Sequence, residues 1–344
     1  VAVQKPFLDP QKRVDLAVAE LARRSRLSGV VTVVDGDQLA GTTDGAGKPQ
    51  IWYETEATTV ARDYEFRTRN EPIKFDEVYR SKHAISIDQH MTQAVRTTPE
   101  EDFFDEVRYA TDVLPAAVEA IADRMDAKIT AKIVAASDLK ITDLALSADG
   151  DPEGKSALRQ VLAINARLNP TGMPRNGRRL MLGANVWSWL VASEATRLYD
   201  PSQALTVYRQ GVGGSIANLE IVDGTDILGE NEFRVLHPSW CIVPTAAGAL
   251  PTSGVAWARK AAYEGWALRM VKGYSLDWDR EGTALHTYYK LNELKDEIQR
   301  HTKASADAAN DGSVAGQPVI TDNKLVFTGK NVRMAKGTFT PDTP

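Results

Sequence analysis

Cysteine is almost missing from this 344-residue chain. Cys241 stands alone, which excludes an intrachain disulfide and a cysteine-based metal cluster and suits a reducing compartment. Lying in an apolar run, Cys241 reads as a buried, inert thiol, because nothing near it in sequence would lower its pKa. No apolar stretch approaches the ~20 residues that a membrane helix needs. The N-terminus lacks the apolar core and small-residue cleavage site of a secretory signal, so the chain is expected to be made and kept inside a cell, or inside something a cell makes. A basic surplus is missing as well. With 41 Lys and Arg against 46 Asp and Glu, the formal net charge is -5, which argues against a dedicated nucleic-acid binder.

The chemistry-bearing residues are sparse and dispersed. His83, His90, His237, His286 and His301 show no i, i+4 pair beside a carboxylate of the kind that builds a zinc helix, and they read as structural or surface histidines. Gly211 to Ser215 (GVGGS) has the look of a phosphate loop, but it lacks the Gly-Lys-Ser ending and precedes another strand, so a tight loop is the expectation. Asp123 and Asp126 fall on the polar side of a helical stripe and read as solubilising charges. No Ser, His and Asp set has the order and supporting turn of a hydrolase. The sequence therefore points away from an enzyme and implies no cofactor and no metal.

What is present is patterned for packing. At 43% hydrophobic and 25% charged residues the chain can bury a real core, and its length suits roughly two ordinary domains. The richest stretch is Trp266 to Leu291. Trp266, Leu268 and Met270 alternate with Ala267, Arg269 and Val271, and Tyr274, Leu276 and Trp278 continue the alternation. After the turn-forming cluster Asp279, Arg280, Glu281, Gly282, the residues Thr283, Leu285, Thr287 and Tyr289 alternate with Ala284, His286 and Tyr288. This is a long exposed hairpin with bulky groups on both faces, so something must pack on each.

The clearest helix follows Thr98, a candidate N-cap, with Pro99 in the first turn and Glu100, Glu101 and Asp102 complementing the helix dipole. Phe104, Val107, Thr111, Leu114, Val118, Ile121, Met125, Ile129 and Ile133 form one apolar stripe, and Pro115 should kink it. A strand is expected from His83 to Val95. Upstream, residues 11 to 27 make a short amphipathic helix in an otherwise extended arm, basic at both ends through Lys12, Arg13, Arg23, Arg24 and Arg26, a surface that could face a polyanion such as DNA. Residues 30 to 80 read as extended segments without a core of their own, a protruding hairpin whose Arg62, Asp63, Glu65, Arg67, Arg69 and Glu71 suit salt bridges between subunits. Between 150 and 250, helices at 156 to 168 and 186 to 199 alternate with strands near 179 to 182, 219 to 222, 233 to 236 and 241 to 243, an inserted α/β or α+β unit. Residues 299 to 316 read as a linker, and 318 to 339 as a small add-on hairpin around Thr328, Gly329 and Lys330.

This layout, with the phrases LMLGANVWSWLVAS (180 to 193), VLHPSWCIVPTAAGAL (235 to 250) and VAWARKAAYEGWALRMVKGYSLDWD (255 to 279), resembles the major capsid proteins of tailed bacteriophages, in particular those infecting actinobacteria, a fold shared with herpesvirus shells and encapsulins. The resemblance implies an α+β fold with an N-terminal arm (1–29) and an extended hairpin loop (30–80). It implies a peripheral domain (81–149 and 255–295) with a spine helix at 99–137 and the hairpin 266–291, an axial domain (150–254), and a linker with a C-terminal extension (296–344). It implies a structural protein assembling into hexamers and pentamers around double-stranded DNA, located in the virion and, during assembly, in the host cytoplasm. A scaffolding protein, a portal and a decoration protein would be its partners. The implied contacts between subunits are Lys48, Trp52, Tyr53, Arg62, Glu65, Arg67, Arg69, Trp278, and Gly211, Gly213 and Gly214 at the capsomer axis; the extension would clamp capsomers or bind the decoration protein. Some relatives join subunits by a Lys to Asn isopeptide bond, for which Lys48 and Asn292 are the candidates. An encapsulin-like compartment is the alternative within this fold, and a nucleotide-using enzyme the alternative outside it.

Overall fold

The computed structural model describes residues 9–36, 50–54, 82–97, 113–135, 139–146, 157–168, 173–192, 212–216, 219–275, 280–295, 314–315 and 333–341. In chain order these form α1 (Pro10–Arg24), β1 (Thr32–Asp35), β2 (Gln50–Glu54), β3 (Lys82–Ser86), β4 (Gln89–Thr97), α2 (Leu114–Ala135), β5 (Leu139–Leu146), α3 (Ala157–Leu168), β6 (Arg178–Leu182) and α4 (Ala184–Ala192). There follow β7 (Val212–Ile216), β8 (Leu219–Asp223), β9 (Glu232–Leu236), β10 (Cys241–Ala246), β11 (Trp257–Tyr263), β12 (Trp266–Ser275), β13 (Arg280–Tyr289), β14 (Asn292–Glu293), β15 (Val314–Ala315) and β16 (Met334–Pro341). The chain divides into two compact units, each drawn from three separate segments: Val1–Trp52, Ala84–Ile133 and Cys241–Asn292 in the first, and Tyr53–His83, Val134–Trp240 and Glu293–Pro344 in the second.

The first unit is built on a seven-stranded sheet in the order β1-β10-β13-β12-β11, with β4 pairing β13 on its other side and β14 pairing β10. The hairpin read from the alternation is here as β12 and β13, in register from Arg269 opposite His286 to Ser275 opposite Arg280. Its turn is displaced from the expected one. Arg280, Glu281 and Gly282 are strand residues, because Gly282 faces Gly273 across the ladder, so the tip is 276–279, outside the described residues. The strand before it, β11, was not read from sequence. It joins β12 through a two-residue turn in which Glu264 (φ 49°) and Gly265 (φ 84°) both have positive φ, the twist that matches a right-handed ladder. Gly265 is required twice over, since a Cβ there would lie 2.5 Å from Val33 O.

The bulky face of the hairpin is covered, with Trp266, Leu268 and Met270 all at most 2% exposed. The N-terminal helix supplies part of the cover: α1 packs along β11 and β12 and buries Val14, Ala17, Val18 and Leu21. It is therefore a docked element of the first unit, capped by the Asp9 carboxylate on Gln11 N at 3.0 Å, and the reading of it as part of an extended arm is corrected. The α2 stripe is as the spacing requires, with Leu114, Val118, Ile121, Met125, Ile129 and Ile133 at most 4% exposed. Pro115 follows Val113, which is already helical; residues 99–112 of the expected spine helix lie outside the described residues, and the expected kink at Pro115 falls at their boundary.

Three further expectations are corrected in this unit. The single strand from His83 to Val95 is two strands, β3 and β4, interrupted at Ile87 and Asp88. Residues 30–35 belong to the core instead of a protruding loop, because β1 runs parallel to β10 and Val30 and Val31 are buried. Cys241–Ala246, expected in the inserted unit, is a strand of this first sheet, buried along its whole length.

The second unit carries a seven-stranded mixed sheet in the order β15-β5-β16-β9-β6-β8-β7. One face is closed by Val161, Ile164 and Leu168 of α3 and Val186 and Leu190 of α4, which pack on Leu180, Leu182, Ile221, Phe233, Val235 and Phe339. Two helices over one face of a mixed sheet is an α+β arrangement, one of the two that the alternation of helices and strands left open. Two placements differ from expectation. β5, expected in the peripheral domain, lies in this second sheet. The first run and the turn of the expected add-on hairpin lie outside the described residues; its last run is β16, which runs parallel to β5 and antiparallel to β9 as a central strand, while β15 pairs with β5. Phe339 is 1% exposed with its ring 4.8 Å from Phe233, so this segment completes the core.

Candidate functional site

Most of the residues expected to join subunits fall outside the described residues: Lys48, Arg62, Glu65, Arg67, Arg69, Gly211 and Trp278. Trp52 and Tyr53 lie on β2, which pairs with β3 in a separate two-stranded sheet. Gly213 and Gly214 are corrected from a loop to an edge strand. They sit in β7 where its register with β8 shifts between Val212 and Ser215, a bulge that takes residues without side chains to pack. The glycines thus end the sheet instead of cradling a phosphate.

The basic N-terminal residues separate into two groups. Lys12, Arg23 and Arg26 are exposed, and Arg13 is buried to 8% exposure. Arg24 is held between two carboxylates, 2.7 Å from Glu20 on its own helix and 2.6 Å from Glu119 on α2, and its pKa is raised, chiefly by the hydrogen bond to Glu20. Beside this pair, Asp126 of α2 accepts hydrogen bonds from Ser25 Oγ (2.8 Å), Arg26 N (2.9 Å) and Leu27 N (3.4 Å). The turn that leaves α1 is therefore tied to α2 by one carboxylate, and burial raises the Asp126 pKa. Its reading as a solubilising charge is corrected: helical periodicity placed it on the polar side, and the polar side is where the neighbouring backbone needs an acceptor.

Sequence reading also missed a cluster on the first sheet, made from strands 196 residues apart. His90 Nε2 lies 3.1 Å from His286 Nδ1, and the His90 ring stacks on both His286 and Tyr288 with centroids 5.2 and 4.4 Å away. The Arg269 guanidinium lies over the Tyr288 ring at 5.6 Å and donates to the carbonyl of Ala249. Burial, then Arg269, then His90 hold the His286 pKa down at about 4. The register that sets His90 opposite Tyr288 was the one signal available, and it becomes visible only once β4 and β13 are paired.

Asn292, the candidate for a crosslink, is occupied by backbone. Its Nδ2 donates to Ser86 O (3.1 Å) and Lys290 O (3.3 Å), and its Oδ1 accepts from Ser86 N (3.3 Å). Lys290 Nζ completes the group with Ser86 Oγ at 2.8 Å and Asp88 at 2.9 Å. In the second unit Arg178 is 1% exposed and donates to Pro174 O, Asn165 Oδ1 and Met173 O at 2.6–2.8 Å; burial lowers its pKa to about 10. It staples the turn before β6 to α3. Cys241 is fully buried, no group of three or more His, Cys, Asp or Glu among the described residues is placed to hold a metal, and no described helix is long and apolar enough to cross a membrane. These clusters are structural ties, and none brings a nucleophile, a base and an open cleft together.

No protein-family model matches the chain, and no curated protein matches it by sequence. Solved structures do match over most of its length. The acid-stable capsid structure of Helicobacter pylori bacteriophage KHP30 aligns with a TM-score of 0.51 at 10% identity, covering 93% of this chain and 91% of that chain. The capsid of Ralstonia phage GP4 aligns with a TM-score of 0.49 at 10% identity over 93% and 91%, and a chain of Mycobacterium phage Adephagia with 0.46 at 11% over 93% and 91%. The fold assignment rests on the KHP30 alignment, which covers 93% of this chain. The chain has the α+β fold of phage capsid proteins.

Proposed function

We propose that this chain is the major capsid protein of a tailed phage, a structural protein that assembles into hexamers and pentamers to form an icosahedral shell around double-stranded DNA. The observation that carries the reading is the likeness to the KHP30 capsid chain over 93% of this sequence. The character of the clusters agrees with it. Buried ties such as Arg178, Asp126 and Asn292 spend their polar groups on holding backbone segments, as a subunit that bears mechanical load requires, and the described residues offer no reaction centre.

On this reading the proposed contacts between subunits are those of the extended loop and its flank (Lys48, Trp52, Tyr53, Arg62, Glu65, Arg67, Arg69), the hairpin tip (Trp278) and the β7 region (Gly211, Gly213, Gly214). Of the proposed DNA-facing set, Lys12, Arg23 and Arg26 are exposed, Arg23 also lying 3.5 Å from Glu20, whereas Arg13 is buried and Arg24 is held between Glu20 and Glu119. With a net charge of -5 the shell would hold DNA weakly and nonspecifically, with binding that falls steeply with salt. A scaffolding protein, a portal and a decoration protein are the proposed partners; the virion and, during assembly, the host cytoplasm are the proposed locations. The separate clamp proposed for the C-terminal extension is withdrawn for residues 334–341, which are committed to the second sheet.

The test is electron microscopy of the purified chain expressed with and without the neighbouring scaffold gene. Closed icosahedral shells, or rings of five and six, are expected. A uniform small oligomer that never closes, even with the scaffold, would overturn the proposal. Shells that enclose an enzyme in place of DNA would turn it to an encapsulin-like compartment.

A further inference from the structure

Asparagine or aspartate precedes glycine at three steps among the described residues: Asp35–Gly36, Asn176–Gly177 and Asp223–Gly224. In two of them the glycine amide is engaged and the space beside it is filled. Gly36 N donates to Thr245 O at 2.6 Å, and a Cβ on Gly36 would lie 2.7 Å from Ile87 Cδ1. Gly224 N donates to Leu182 O at 3.1 Å, and a Cβ there would run into Met181. Asn176–Gly177 differs on each count. It forms the turn that enters β6, and both residues are exposed. Among the described residues neither the Asn176 side chain nor the Gly177 N–H has a hydrogen-bond partner. The nearest atom to a Cβ built on Gly177 is His237 Nε2, 3.8 Å away.

The other described asparagines are held by their surroundings. Asn165 accepts from Arg178 at 2.6 Å, Asn185 donates to Glu230 and to Asn231, and Asn292 is bonded to the Ser86 backbone through both of its side-chain polar atoms. None of them precedes a glycine. An asparagine side chain reacts with its own backbone only when the next nitrogen can lose its proton and approach Cγ. Glycine allows this best, because it has no side chain in the way and its backbone turns freely. Gly177, at φ 75°, already occupies the left-handed region that an Asn-Gly turn favours.

We propose that Asn176 is a site of spontaneous covalent modification, converting through a cyclic imide with Gly177 to aspartate and isoaspartate. Hydroxide removes the Gly177 amide proton, the nitrogen bonds to Asn176 Cγ, and the Cγ–Nδ2 bond breaks, so that the side-chain nitrogen leaves as ammonia with a proton from water. A further water molecule then opens the ring. Opening at Cγ leaves aspartate with the backbone as before. Opening at the main-chain carbonyl leaves isoaspartate, in which the chain runs through the side-chain carbon. No oxidant or reductant takes part. Either product sets a carboxylate into the run Arg175, Arg178, Arg179. Isoaspartate also lengthens the link between Pro174, whose carbonyl accepts from Arg178 Nε at 2.8 Å, and the first pairs of β6. The modified turn therefore pulls on the buried Arg178 staple.

The test is peptide mapping of the full chain, kept folded at mildly alkaline pH and cut by a protease that leaves residues 173–180 in one peptide. The mass gain of replacing NH2 by OH is expected at Asn176 before it is seen at Asn165, Asn185, Asn231 or Asn292, and faster as the pH rises. An isoaspartyl methyltransferase with a labelled methyl donor is expected to mark that peptide, and the mark is expected to disappear from it in Asn176→Gln. Peptides containing Asp35–Gly36 and Asp223–Gly224 are expected to stay unmarked in the folded chain and to become marked after incubation in urea. An intact Asn176 after another of these asparagines has converted would overturn the proposal, and so would aspartate formed without isoaspartate. Amide exchange from Arg178 to Leu182 is expected to rise in the isoaspartate form; unchanged exchange there would overturn the coupling to the staple.

Discussion

The two sheets have the same number of strands and opposite relations to the sequence. The heart of the first is a run of neighbours, β11 to β12 to β13, joined by short turns and paired in the order in which they occur. The heart of the second is assembled from distance: β16 enters between β5 and β9, strands that begin 195 and 102 residues before it (334 − 139 and 334 − 232). A strand next to its partner advertises itself by alternation; a strand inserted from far away need only fit the slot. The first sheet should therefore break locally and the second globally.

The largest effect is expected at that slot. Phe339→Ala removes a fully buried ring packed at a tilt against Phe233 and should cost about 3–5 kcal/mol. Amide exchange should rise across β5, β9 and β6 while β11 to β13 stay protected; protection lost equally in both sheets would erase the contrast. Gly265→Ala is the counterpart in the first sheet, placing a β-carbon in a left-handed turn against Val33 O, for about 1–3 kcal/mol of backbone strain before the clash is counted. Its exchange should be confined to β11, β12 and β1.

Asp126→Ala strands the Ser25 hydroxyl and two backbone amides, and about 1–3 kcal/mol is expected from denaturant unfolding. The smallest effect is a pH dependence. His286 in the fold is held near 4 against an ordinary 6.5, so the unfolded chain takes up the proton first as pH falls. Its contribution to stability is complete above about 6.5 and is lost as the pH falls toward about 4. His286→Gln should flatten the unfolding midpoint over that window in exchange of the first sheet; an unchanged slope would remove His286 as the titrating group.

The same contrast explains what could be read in advance. Met270 against Leu285 and the Val118–Ile121–Met125 stripe are local periodicities, so strand and helix follow from them directly. β11 announces itself in the sequence only through the turn pair Glu264–Gly265. β16 reads MAKGTFTP, with a lysine, a glycine and two threonines, and nothing in that string says that it is central. Gly337 shows why: a Cβ there would lie 2.2 Å from the Phe233 ring, so the residue that makes the strand look weak makes room for the core. His90 with His286 and Asp126 with Ser25 were illegible for a related reason, since each pair exists only after segments 101 to 196 residues apart have met.

The position of β16 also sets a clock. During synthesis the ribosome delivers β5, α3, β6, α4, β8 and β9 long before residue 341, and until then β5 and β9 have no strand between them. The first sheet has all its strands once residue 293 has emerged, whereas the second lacks its central strand through the next stretch of translation. The second sheet is thus incomplete until nearly all of this sequence has been made, and a truncated product is marked by a gap in the middle of its own sheet.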